Sequence, residues 1–172
     1  MKKIVSVCLI LLLAVGCQSA TDKQYQANLQ RYDAYYTAIL NNDKFQSNSE
    51  YFDIFAVMNK LSDTEYRYDV IIDSPRVAMY DVEVLVIENG KSLEIADEIM
   101  PCIGLFEDRD FNLVPYQINL DAGFAEGFGL NGLVENPIVN LKVMVVWKDY
   151  AKVQQKREYF DLTVQYSEQV QE

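Results

Sequence analysis

Tyr80-Asp81-Val82-Glu83-Val84-Leu85-Val86-Ile87-Glu88-Asn89-Gly90 is the stretch on which the fold turns. Val82, Val84 and Val86 alternate with Asp81 and Glu83, the period of two expected of a strand with one buried face. The run ends at Asn89-Gly90, and both residues accept the positive φ that a type I′ hairpin turn needs. The same alternation precedes it. Tyr66, Tyr68, Val70 and Ile72 alternate with Arg67, Asp69 and Ile71, and Pro75 separates the two runs.

Outward from this pair, further strands are expected over 51–59, 92–97, 111–120, 124–130, 138–150 and 158–166. Over 51–59 the spacing of Phe52, Phe55, Ala56 and Asn59 would also suit a helix. Strand is chosen because Ser62-Asp63 reads as a turn into the next run. Strands of this length, separated by turns and not by helices, resemble an immunoglobulin-like β-sandwich, here mainly β and antiparallel, with about seven to eight strands over 50–168. The likeness is one of architecture. There is no Cys-Trp-Cys signature, and Trp147, the single tryptophan, lies near the end of a late strand, so the resemblance implies a fold and no active site.

Upstream the period changes. Tyr25, Leu29, Tyr32, Tyr36 and Ile39 recur at alternating spacings of four and three, which places them on one face of a helix over 22–43. Thr21 or Asp22 can cap its start, and Asn41-Asn42 can end it. The tyrosine-rich face either packs on the domain that follows or serves as a stalk or partner-binding surface. Burial of each large side chain is worth about 1.5 to 3 kcal/mol, whereas an isolated helix of this length is marginal in water, and this favours packing.

Charge and composition narrow the partners. The chain has 172 residues and a net charge of -11, so a nucleic-acid partner, which needs a basic surface, is excluded. The same charge opposes a body lying flat on anionic lipid. Histidine is absent, which removes the commonest general base and metal ligand and every Ser-His-Asp or Cys-His arrangement.

The start of the chain carries an address. Lys2 and Lys3 precede the apolar run Leu9-Ile10-Leu11-Leu12-Leu13-Ala14-Val15-Gly16-Cys17, too short for a span of about 20 residues but suited to a signal-peptide core. Its end, Ala14-Val15-Gly16-Cys17, resembles the lipobox of bacterial lipoproteins, with alanine where leucine is more usual. The resemblance implies removal of 1–16, a diacylglycerol on Cys17, and 17–21 as a short tether. Gln18 in place of aspartate implies no retention at an inner membrane in a cell that has two. Cys8 would leave with the signal and Cys17 would carry lipid, so Cys102 has no partner for an intrachain disulfide. Such thrift with thiols leans towards a Gram-positive source.

Several constellations bear on chemistry. Asp108, Asp110 and Asn112 have the spacing of three oxygen ligands around calcium, but Leu113 stands where the loop needs glycine, and Asn119 where it needs a bidentate glutamate. Arg109 adds a competing charge, so the stretch reads as an acidic turn, and no metal or cofactor is expected. Glu107, Asp108 and Asp110 are also the densest acidic group, the place to look for a carboxylate pair. Without a second group or a substrate motif, an enzyme is not expected. Gly127-Phe128-Gly129-Leu130-Asn131-Gly132 matches G-x-G-x-x-G, but Pro137 follows too soon for the helix a dinucleotide site needs. Gly127 and Gly129 are expected instead to flatten one face of a strand so that another backbone or ring can approach, with Phe128 and Leu130 shaping the rest. Lys148, Lys152, Lys156 and Arg157 form the basic concentration of the chain, either a docking point for an anionic partner or a solubilising hairpin end. Cys102, among apolar neighbours, reads as a small buried hydrophobe and not a reactive thiol.

These observations lead to the expectation of a lipid-anchored, non-catalytic binding or structural module on the extracytoplasmic face of the cell membrane, or the outer membrane of a Gram-negative cell. Its contacts would be the membrane through Cys17 and an envelope protein or wall polymer. A small-ligand carrier or transporter accessory is the alternative, and a carboxylate-based enzyme the third reading.

Overall fold

Residues 20–96 and 98–168 are described by the computed structural model. The signal segment, Cys17 and most of the tether lie outside them. Helix α1 is Ala20–Leu40. Thr21 and Asp22 therefore sit inside the helix and not at a cap, and the helix ends before Asn41-Asn42. The strands are β1 (Asp53–Lys60), β2 (Tyr66–Asp73), β3 (Tyr80–Glu88), β4 (Cys102–Ile103), β5 (Asn112–Leu113), β6 (Phe124–Ala125), β7 (Phe128–Val134), β8 (Ile138–Lys148) and β9 (Gln155–Gln165). Strands β1-β2-β7 form one antiparallel sheet and β4-β3-β8-β9 the other, while β5 and β6 make a small parallel pair. Three strands face four, with the crossed connections of an immunoglobulin-like sandwich.

Alternation explains how the sheets close. Tyr68, Val70 and Ile72 of β2, Val84 and Val86 of β3, Val143, Val145 and Trp147 of β8 and Phe160 of β9 share one core. Trp147 is 1% exposed, with Phe52 edge-on at 5.6 Å. The four-stranded sheet has a second buried face. Leu85 and Ile87 of β3 and Met144 and Val146 of β8 point away from the sandwich and pack against Tyr32, Tyr35, Tyr36 and Ile39 of α1. The helix is thus a third layer of the fold. Tyr32 Oη accepts from Met100 N at 2.9 Å, and Tyr36 Oη donates to the Lys91 carbonyl at 2.9 Å, so each hydroxyl has the polar partner its burial requires. Tyr25, at the start of the expected stripe, is 48% exposed, with the Phe106 ring at 6.0 Å.

Three expectations need correction. Asn89 and Gly90 take φ of 48° and 60°, and Lys91 N closes the turn on Glu88 O at 2.9 Å, as a type I′ turn requires. Of the strand expected over 92–97, the described residues 92–96 form none: Leu93–Ile95 is a 3-10 turn. The neighbour of β3 on that side is the two-residue β4, through Val84 with Ile103 and Leu85 with Cys102. The stretch 111–120 is extended only at β5 before it turns, and Leu120–Ala122 is a second 3-10 turn. Of the two glycines expected to admit a neighbour, Gly129 differs from expectation. A Cβ on Gly127 would lie 2.9 Å from the Ile72 carbonyl, so a backbone does approach there, but nothing lies near Gly129. The ring that needs room is Tyr68, over Gly132, where its hydroxyl donates to the buried Glu88 at 2.8 Å.

Candidate functional site

The end of the sandwich where α1 begins gathers most of the polar chemistry. Strand β3 enters through a bulge between Tyr80 and Glu83, with Asp81 at φ 49°. The bulge turns the Asp81 carboxylate outward, where Lys148 Nζ meets Oδ2 at 2.9 Å and Lys152 Nζ meets Oδ1 at 2.8 Å. Burial alone would raise the Asp81 pKa, but the bonds from Lys152 and Lys148 outweigh it and hold the carboxyl below its ordinary value. Asp81 N donates to Asn112 Oδ1 at 3.1 Å. Two positions along, Glu83 receives Arg31 Nη1 at 2.7 Å and the Tyr35 hydroxyl at 2.5 Å. Tyr35 is pushed up to about 12, first by burial and then by its bond to Glu83. Arg31 Nη2 also donates to the Leu105 carbonyl at 3.2 Å, while its buried Nε has no hydrogen-bond partner among the described residues.

These groups border a cleft of about 570 Å³ whose lining includes Gln24, Asn28, Arg31, Asp81, Glu83 and Asp110. Its central carboxylates, Asp81 and Glu83, are already bonded to cations. The residues singled out by sequence do not assemble around it as one constellation. Asp108 and Asp110 are exposed on its rim, whereas Asn112 is 5% exposed and turned inward, its Oδ1 accepting from Asp81 N and its Nδ2 donating to the Gly123 carbonyl at 3.3 Å. Among the described residues no three acidic or cysteine side chains converge as a metal site. The basic group is dispersed too. Lys148 and Lys152 bind Asp81, Lys156 lies 4.0 Å over the Tyr51 ring, and Arg157 lies 5.0 Å over Tyr35 on the helix-covered side. Cys102 is partly buried in β4, and burial, then the charge of Glu107, pushes its thiol up to about 11.

Sequence reasoning missed the apolar rim of this end. The loop 114–122 displays Tyr116, Ile118 and Leu120, and the turn 149–154 displays Tyr150 and Val153, all exposed. Tyr80 joins the two loops, with Phe124 at 6.2 Å and Tyr150 at 6.3 Å from its ring. The signal was present as Pro115-Tyr116-Gln117-Ile118-Asn119-Leu120, which alternates as a strand does; here the alternate apolar groups face solvent.

Neither a scan against protein-family models nor a search of curated proteins returned a match. Among the described residues no helix is long and apolar enough to cross a membrane.

Proposed function

We propose that the protein is a lipid-anchored module of the cell envelope that binds or scaffolds and does not catalyse. One observation carries the reading: the run Leu9 to Cys17 with its lipobox-like end stands only three positions before Ala20, where the helix fused to the sandwich is already formed. A diacylglycerol on Cys17 would therefore hold a folded body directly at the membrane, because two acyl chains anchor stably where one does not. The lack of histidine and the pairing of Asp81 and Glu83 with cations support a binding role over acid-base chemistry. An envelope protein or wall polymer is the partner class. A small-ligand carrier draws less support, since the cleft beside α1 is lined by charges that already bind one another.

The test is Cys17→Ala. Wild-type protein should incorporate radiolabelled palmitate and lose its leader, and the variant should accumulate as unlabelled precursor. Equal labelling of both refutes the anchor.

A further inference from the structure

Five apolar side chains stand in water on two loops at one end of the domain. Tyr116 is 105% exposed, Tyr150 and Val153 81%, Leu120 66% and Ile118 62%; at the opposite end Ile95 is 66%, Leu133 56% and Leu61 51% exposed, so the most exposed groups, Tyr116, Tyr150 and Val153, are all at this tip. Hydrogen bonds hold the loops that carry them. Asn119 and Phe124 exchange two backbone bonds of 2.9 Å, Gln117 N closes on Val114 O at 3.0 Å, and Asp149 Oδ1 accepts from Val153 N and Gln154 N at 3.0 and 3.2 Å. The outward presentation of these groups is therefore built into the loop backbones, and exposed apolar groups gathered on two loops at one end mark a contact surface.

We propose that this tip is a second membrane contact, seated in the interfacial layer of the bilayer that holds Cys17. The proposal rests on the lipid-anchor reading above. Three observations choose lipid as the occupant. First, the described start of α1 lies at this end: Gln24 and Asn28, in its first turns, line the cleft with Asp81 and Lys148, and Lys152 of the tip turn reaches that same Asp81. Second, the distance is short. Cys17 precedes Ala20 by three positions, and at no more than about 3.6 Å per residue the two Cα atoms lie within about 11 Å of one another whatever the path. Third, the chemistry fits. Tyrosine has a ring for the acyl boundary and a hydroxyl for the headgroups, and aliphatic groups beside it reach about 5 to 10 Å deep. Asp121 and Asp149 stand on the same loops, so the contact draws on apolar insertion and not on attraction to anionic lipid.

The experiment uses full-length, processed protein reconstituted into phosphatidylcholine vesicles with and without brominated acyl chains. Tyr116→Trp and Leu61→Trp are compared; Trp147, in the sandwich core, gives a constant background. The tryptophan at 116 should shift to the blue on reconstitution and lose most of its emission to brominated lipid, whereas that at 61 should do neither. Mass spectrometry of the N-terminal peptide from the same preparation reads the lipid on Cys17. Lipidated protein with an unquenched signal at 116 overturns the tip contact and leaves the anchor intact; a peptide without lipid overturns both. A blue shift without quenching, as when the tip meets a second copy, or quenching abolished by high salt, also overturns the proposal.

Discussion

Replacing Tyr36 tests whether α1 and the sandwich are one cooperative unit. Tyr36 is fully buried between the helix and the outer face of β3 and β8, its ring 5.7 Å from that of Tyr32 and its hydroxyl on the Lys91 carbonyl. Tyr36→Ala removes a large aromatic ring from a packed layer, a loss of about 3 to 5 kcal/mol. Tyr36→Phe keeps the ring and leaves the carbonyl unpaired, for about 1 to 2 kcal/mol. Tyr25→Ala, at a half-exposed position on the same helix, should cost less than about 1 kcal/mol. The assay is urea unfolding followed by Trp147 fluorescence, chosen because Trp147 lies in the sandwich core and not beneath the helix. With a slope of about 2 kcal/mol per molar urea, Tyr36→Ala should lower the midpoint by roughly 2 M and Tyr36→Phe by roughly 0.5 to 1 M. An unmoved Trp147 midpoint in Tyr36→Ala, with helical circular dichroism lost at lower urea, would refute the reasoning and make the helix a separate element.

Burial holds Tyr32 and Tyr35 neutral to about pH 12 against an ordinary 10.0, so the stability they contribute is complete below pH 10 and lost as pH rises from 10 through 12. Urea midpoints measured across that window should fall steeply, and a flat profile to pH 12 would contradict the burial. The depressed pKa of Asp81 works in the opposite direction: its contribution is present above about pH 3.8 and fades as pH falls through the lowered value. Asp81→Asn should cost about 1 kcal/mol at neutral pH, since both lysines are half exposed, and should shallow the acid limb of the stability profile. Gly132→Ala would push a methyl into the Tyr68 hydroxyl and to 2.7 Å from Glu88 Oε1, and Gly129→Ala would enter open space. The first should destabilise by about 2 to 3 kcal/mol and the second should be close to neutral; similar thermal midpoints for the two variants would contradict the account of β7.

The sandwich was legible because a period of two survives wherever one face is buried, as in Tyr66 to Ile72. The helix was legible because its stripe is long. What covers what was less so, although a signal existed. Val84-Leu85-Val86-Ile87 and Val143-Met144-Val145-Val146-Trp147 are unbroken apolar runs, as strands buried on both faces require, and they mark the sheet on which the helix lies. Tyr35 escaped notice because the four-and-three spacing follows a narrow seam, while the contact face is broad enough for adjacent Tyr35 and Tyr36 to be buried together. The hairpin expected after Asn89-Gly90 failed for a different reason. Such a dipeptide specifies a turn from its own φ preferences, but the partners of β3 are set by the whole sheet, and they are β8 on one side and the two-residue β4 on the other. The candidate site was least legible, since the bulge at Asp81 and the inward turn of Asn112 depend on distant backbone and leave no periodic trace.

The attachment of α1 to β3 also has a mechanical side. Force entering the chain ahead of Ala20 travels down the helix and meets the Arg31–Glu83 ion pair, the Tyr32–Met100 bond, the Tyr35–Glu83 bond and the Tyr36–Lys91 bond within little more than one helical turn. Contacts so closely spaced share a load instead of yielding one after another: two reach Glu83 of β3, a strand held on both sides by β4 and β8, and two reach the segment between β3 and β4. A pull on the start of the helix is thus divided between an inner strand of the sheet and the segment that follows it, and helix and sandwich would move together as a single handle.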